Sequence, residues 1–246
     1  MTTILALGAS SAIVFETLRP FATEHASIIM VGRSREKLEV LAQDLTARGA
    51  HSVDIILNDL STVGSAAKLL EQVQAVGKDI DIVYLGYGTL PEQEAVFRDA
   101  QQRAELFQTN LLSAMDHVCL WYDYFIAAKR PGTLAVISSV AGDKGRGSNF
   151  LYGATKAGLD AFLSGVRNIG YKHGISVMTI KPGFVDSPMT AHVPKNLLFV
   201  SAAQAGAIIH KAIKRRTDIV YVPWFWRFIL FLIKMLPESI FKRLSL

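Results

Sequence analysis

The chain has 246 residues, half of them hydrophobic, and a formal net charge of +5 from 26 Lys and Arg against 21 Asp and Glu, which suits one large domain with a substantial core. A single cysteine, Cys119, excludes an internal disulfide framework and fits a reducing cytosol. The basic balance lacks the interleaved aromatic and basic pattern of a nucleic-acid groove, so no nucleic-acid partner is expected, and the six histidines form no ligand motif, so no catalytic metal is expected.

No basic residue precedes the apolar run at residues 4–7, and Gly8 ends it early, so it reads as a first strand and not as a secretory leader. Helical periodicity follows over residues 12–24, a strand over 27–31, a charged amphipathic helix over 35–48, a strand over 53–57 and a helix over 61–76. A strand at 81–85 leads into two long helical patterns, 92–103 and 105–129. Asp116-His117-Val118-Cys119-Leu120 within the second reads as buried, which makes Cys119 a structural thiol. Pro131-Gly132 opens a strand at 133–138, then come a helix over 152–173, a strand over 176–180, an irregular segment opened by Pro182-Gly183, a helix over 202–216 and a strand over 219–222. Short apolar strands alternating with helices predict an α/β fold, a doubly wound parallel sheet of about seven strands covered on both faces. Ligands bind such sheets beyond the carboxyl ends of the strands.

Chemistry-bearing residues fall at those ends. The turn Gly8-Ala9-Ser10-Ser11-Ala12-Ile13 joins the first strand to the first helix. A glycine there lets backbone approach a pyrophosphate, and the helix N-terminus favours its charge, which marks Gly8, Ser10, Ser11, Ala12 and Ile13. Arg33 follows the second strand with no Asp or Glu beside it to accept from a ribose 2′-OH. With Ser34 it suits a 2′-phosphate, pointing to NADP(H) over NAD(H), and a solvent-facing arginine is the plainer alternative. Asp59 and Leu60 follow the third strand, where an adenine would lie, though Asp59 suits a helix cap equally well. Gly86, Tyr87 and Gly88 follow the fourth, with glycines that permit close backbone approach. Tyr152 and Lys156 stand one turn apart on one helix face. The lysine's charge is expected to lower the phenol's pKa and make it a usable proton donor and acceptor.

Taken with Asn110 and Ser139, these pieces resemble the short-chain dehydrogenase/reductase family over nearly the whole chain. The family spacing of a serine about a dozen residues before the tyrosine selects Ser139 over Ser138, and Pro182-Gly183-Phe184-Val185-Asp186-Ser187 is similar to the family's Pro-Gly-x-Val-x-Thr segment. The resemblance implies a Rossmann-type fold and hydride transfer between a nicotinamide and a substrate carbonyl. It implies that Tyr152 protonates the alkoxide, Ser139 holds the carbonyl oxygen, Lys156 lowers the tyrosine pKa and holds the ribose, and Asn110 supports a water-linked proton path. Pro182, Gly183, Val185 and Ser187 are expected at the nicotinamide. The chain departs from the family's Gly-x-x-x-Gly-x-Gly loop, with Ala12 and Val14 at the second and third glycine positions, and from its Asn-Asn-Ala-Gly segment, replaced by Leu85-Gly86-Tyr87-Gly88. The stretches 138–142, 146–152 and 156–160, with 237–244, resemble the branch that reduces decaprenylphosphoryl-2-keto-pentoses, which implies a lipid-linked keto-sugar substrate.

Residues 1–222 are thus expected to form the domain and 223–246 an apolar, basic extension packed on or beside it. The uncharged run of that extension is too short to span a bilayer of about 20 residues' depth. Arg227 and Lys234 near one stripe suit a helix lying at an anionic membrane surface, and a subunit interface or a core helix are the alternatives. The resulting expectation is a cytoplasmic ketone reductase, peripheral on the inner membrane face and homodimeric or homotetrameric by family resemblance. The alternatives are a reductase of a soluble ketone or 3-oxoacyl thioester, and a catalytically silent nucleotide-binding sensor.

Overall fold

Alternation along buried strands decides how the sheet is covered. In the computed structural model, which describes residues 1–191 and 193–244, strand β1 (Thr3–Leu7) is buried along its whole length. Ile4 and Ala6 face one apolar cluster with Val14 and Leu18 of helix α1 (Ala12–Thr23). Leu5 and Leu7 face the opposite cluster, built on Trp121, Leu159 and Leu163. A period of two thus gives each strand two buried faces, as a sheet with helices on both sides requires.

The other strands are β2 (Ser27–Gly32), β3 (Ser52–Leu57), β4 (Ile82–Leu85), β5 (Thr133–Ile137), β6 (Ser176–Pro182), the short β7 (Val185–Asp186) and β8 (Val200–Ser201), and β9 (Ile219–Val222). Seven of them form one parallel sheet, as the sequence predicts, in the order β3-β2-β1-β4-β5-β6-β9, and β7 pairs with β8 separately. The chain reverses its direction of growth between β1 and β4, which opens a crevice at their carboxyl ends.

The elements α2 (Arg35–Ala47), α3 (Ser65–Val76), α4 (Gln93–Arg98), α5 (Ala100–Phe107), α6 (Ser113–Ala127), α7 (Phe150–Tyr171), α8 (Ala202–Lys214), α9 (Trp226–Met235) and α10 (Glu238–Phe241) complete the described chain. Three sequence expectations change. The pattern over 92–103 breaks at Asp99, whose backbone is extended and whose Oδ1 accepts from Gln101 N at 2.8 Å and Gln102 N at 3.2 Å, starting a new helix. The pattern over 105–129 is interrupted by a π-helical turn, Gln108–Leu112. Cys119 is exposed: α6 buries the stripe Ala114, Val118, Trp121 and Phe125, and Cys119 lies one position off it.

Candidate active site

The strand ends open onto one cavity of about 680 Å³. Its phosphate-sized end is the turn after β1. Gly8 has φ +81°, and a Cβ there would lie 2.8 Å from Tyr87 Cβ, so the turn needs glycine. Ser11 caps α1 by position but with no side-chain hydrogen bond, which leaves the first helical N–H groups without a capping acceptor. Ser10, Ser11, Ala12 and Ile13 line the same wall. Free N–H groups at a positive helix end fit the pyrophosphate of a dinucleotide.

Val14, at the third glycine position, is fully buried, and a Cβ on Gly86 would overlap its Cγ2. The side chain added at one position is therefore accommodated by the side chain missing at the other. Arg33, exposed beyond β2, and Asp59 and Leu60 beyond β3 line the far end, with Gly86, Tyr87 and Gly88 along one side. Asp59 Oδ1 accepts from Ser61 Oγ at 2.7 Å and Ser61 N at 3.1 Å, and these bonds, more than the charge of Arg33, hold its carboxyl below the usual range. Ser34 does not line the cavity. Its Oγ accepts from Lys37 N at 3.4 Å and caps α2 instead.

At the opposite end Ser139, Tyr152, Lys156, Pro182, Gly183, Val185 and Ser187 share the wall. Ser138 also borders it but is buried, donating to Lys156 O at 3.5 Å, while Ser139 is half-buried with its Oγ accepting from Ala141 N at 3.1 Å. A Cβ on Gly142 would sit 2.9 Å from Lys156 C, so this glycine lets the turn after Ser139 seat against α7. Burial pushes the Tyr152 phenol up to about 12, against the Ser139 hydroxyl and the Arg146 charge, which pull it down. Burial also pushes Lys156 down to about 8, against the supporting charge of Asp160. Lys156 Nζ donates to Ile137 O at 3.2 Å and lies 5.6 Å from the Tyr152 ring centre. The expectation that Lys156 lowers the phenol's pKa is therefore not met in this arrangement: burial outweighs it, and the cation acting on the phenol is Arg146.

Asn110 is also off the cavity wall. Buried in the π-helical turn, it donates from Nδ2 to Thr89 O at 2.7 Å and accepts at Oδ1 from Thr89 N at 2.8 Å, pinning the segment after β4. A Cβ on Gly88 would lie 3.1 Å from Asn110 Oδ1 and 3.8 Å from Lys156 Nζ, so this segment links the two.

The sequence reading overlooked two groups. Behind the wall, Lys181 Nζ lies 2.5 Å from Asp143 Oδ1 and 2.8 Å from Asp160 Oδ2, and Tyr221 OH donates to Asp143 Oδ2 at 2.7 Å. Burial opposes the Lys181 charge, but the two carboxylates outweigh it and its pKa is raised. The available signal was Asp160, one turn beyond Lys156 on α7. The second group, Gln93, Arg146 and Asn149, lines the cavity and follows no motif. Helix α9 backs the site: Trp226 and Leu230 are buried with Val140, packed against Phe184, and a Cβ on Gly183 would overlap the Trp226 indole.

A family model described as short chain dehydrogenase matches residues 2–197. An uncharacterised oxidoreductase of Streptomyces coelicolor is 32% identical over 98% of this chain and 95% of its own. A ketoacyl reductase of Nostoc is 27% identical over 89% of this chain and 78% of its own. Among solved structures, a short-chain dehydrogenase from Sphingobium yanoikuyae in complex with NADPH has the same fold, with a TM-score of 0.81 at 19% identity over 97% of this chain and 98% of that one.

Proposed function

This chain belongs to the short-chain dehydrogenase family of oxidoreductases, and from that premise we propose that it reduces a substrate ketone to a secondary alcohol, preferring NADP(H) to NAD(H). The observation that carries the reading is the single cavity that places Ser139, Tyr152 and Lys156 at one end and the Gly8–Ile13 turn along its wall. The turn and the N-terminus of α1 would hold the pyrophosphate, Arg33 a 2′-phosphate, and Pro182, Gly183, Val185 and Ser187 the nicotinamide. When bound, the dinucleotide supplies the hydride. Ser139 would hydrogen-bond the carbonyl oxygen as its charge grows. Tyr152, its phenol protonated at neutral pH, would give its proton to the alkoxide. Lys156 would stand ready to resupply it, and Asn110 acts through the Gly88–Thr89 segment that it holds.

For the substrate we propose a lipid-linked keto-sugar of the polyprenylphosphoryl keto-pentose type, reached from the inner face of a membrane. Its support is α9, which packs its inner face behind the wall residues Val140, Gly183 and Phe184 and, with Trp224 just before it, exposes Phe228, Phe231 and Leu232 at 59% to 70% accessibility. The similarity to the ketoacyl reductase favours a second reading, a 3-oxoacyl thioester substrate. Oxidation of NADPH and NADH is measured with a polyprenylphosphoryl keto-pentose and a panel of soluble ketones and 3-oxoacyl thioesters. The expected result is lipid-ketone turnover faster with NADPH, reduced about 10²- to 10⁴-fold by Tyr152→Phe. Turnover of soluble ketones or thioesters alone would remove the lipid-linked substrate and keep the reductase, and cofactor binding with no turnover of any ketone would remove the reductase.

A further inference from the structure

Arg146 lies between Gly145 and Gly147 on the segment leading into α7, and it lines the catalytic end of the cavity. A guanidinium stays charged at every ordinary pH, and a charge taken out of water needs a partner. Among the described residues Arg146 has none: its Nε is buried without a hydrogen-bond acceptor, and no carboxylate acts on its charge. The acids of the cavity lining are elsewhere or exposed, Asp59 at the Arg33 end and Glu92 on the surface. Lys181, by contrast, is matched by two carboxylates. Lys181 is thus matched where it serves structure, whereas the half-buried Arg146 lines the site with no carboxylate partner among the described residues.

Two neighbours share this property. Gln93 is fixed by its Oε1, which accepts from Leu151 N at 3.2 Å, while its Nε2 is buried with no acceptor. Asn149, at the start of α7, makes no capping bond, and its Oδ1 is buried with no donor. All three side chains line the cavity that holds Ser139 and Tyr152. Buried polar groups are rarely left unmade, and a cluster of them in a cavity is matched by what enters it.

We propose that Arg146, Gln93 and Asn149 form the subsite that selects the substrate, and that it takes a phosphate ester carried close to the ketone, with Asn149 accepting from a hydroxyl of the same molecule. The forked guanidinium and the Gln93 amide supply donors for more than two oxygens, which suits a phosphate better than a carboxylate. Arg146 and Tyr152 line the same cavity, so a phosphate held by Arg146 would lie within the site whose carbonyl Tyr152 protonates. The role of Tyr152 in this inference rests on the reductase reading given above, and the binding of the anion does not.

The test uses the full chain and three ketones: the octyl phosphodiester of hydroxyacetone, hydroxyacetone phosphate, and the uncharged octyl ether of hydroxyacetone. Binding is measured by calorimetry in the presence of NADP+, so that no reduction occurs, and turnover is measured separately with NADPH. The phosphodiester is expected to bind about 10- to 100-fold more tightly than the ether. Arg146→Gln should abolish that preference, and Arg146→Lys should restore part of it. A native protein that binds the diester no better than the ether, or an Arg146→Gln protein of native Tm that keeps the preference, overturns the subsite. Preference for the diester over the monoester assigns the phosphate to a lipid-linked substrate, and the reverse assigns it to a free sugar phosphate. Arg146-dependent binding without reduction of any ketone would sustain the subsite and sink the reductase, whereas reduction indifferent to Arg146 would do the opposite.

Discussion

His117 on α6 has no exposed surface, its Nε2 lies 3.4 Å from Ser65 Oγ, and burial pushes its pKa from 6.5 down to about 4. The unfolded chain therefore takes up a proton first as pH falls. Stability present above pH 6.5 is lost as pH drops toward about 4, to a total of about 3 kcal/mol. Urea unfolding at pH 7 and pH 4.5 is expected to show His117→Gln losing about 2 kcal/mol less than the native chain over that interval; an equal loss would exclude His117 as the acid-sensitive group. Asp160 acts on Lys156 at the same scale. Its charge favours the protonated form of Lys156, whose pKa burial has already lowered to about 8. Asp160→Asn should let Lys156 lose its proton at lower pH, and the alkaline limb of the kcat profile is expected to move toward neutrality. An unmoved limb with reduced Tm would make Asp160 purely structural.

Between elements, the contact of α1 with the end of β4 explains how an altered glycine turn folds. Val14 fills the space that a side chain at residue 86 would need. Gly86→Ala is expected to cost about 1–3 kcal/mol through overpacking. Combining it with Val14→Ala should recover a coupling of about 1 kcal/mol in a double-mutant cycle followed by denaturant unfolding, and strict additivity would refute the fit. At the other end of the chain, α9 packs behind the wall of the site, against Val140 and Phe184. Trp226 is 3% exposed and fills the space above Gly183, packed on Phe184 at a ring-centre distance of 5.3 Å. Trp226→Ala should lower stability by about 3–5 kcal/mol, read from urea unfolding, and an unchanged unfolding midpoint would make α9 a loose appendage.

For the whole molecule, the outer face of α9 and the chain beyond it combine exposed apolar side chains with exposed cations. Phe228, Phe231, Leu232 and Met235 stand beside Arg227 and Lys234, and Lys242 and Arg243 follow. Among the described residues no helix is long and apolar enough to cross a membrane. An apolar face rimmed by positive charge suits the surface of an anionic bilayer. The chain is expected to float with phosphatidylglycerol vesicles, less so at high salt, and to be released by Phe228→Ser with Phe231→Ser. Absence of binding, together with a concentration-dependent mass that the same substitutions reduce, would assign the face to a subunit contact.

Sequence alone determined the seven strands of the main sheet and the helical stretches between them, because a period of two in short apolar runs and a period of 3.6 between them are local properties. It also determined that Gly8, Ser139, Tyr152 and Lys156 fall at strand ends or on the helix facing them, since a parallel sheet places all those ends on one side. Tertiary structure decided what depends on atoms distant in the chain. It turned Ser34 and Asn110 to neighbouring backbone and off the cavity wall. It paired Val14 with Gly86 across the helix-sheet contact. Spacing predicted that a lysine one turn from Tyr152 would lower the phenol's pKa, but burial raised it, because desolvation is fixed by everything that surrounds the group and not by its nearest charge. Arg146 carries no motif, and only the folded chain shows that this one of its 26 Lys and Arg residues lines the cavity with its Nε buried and without an acceptor.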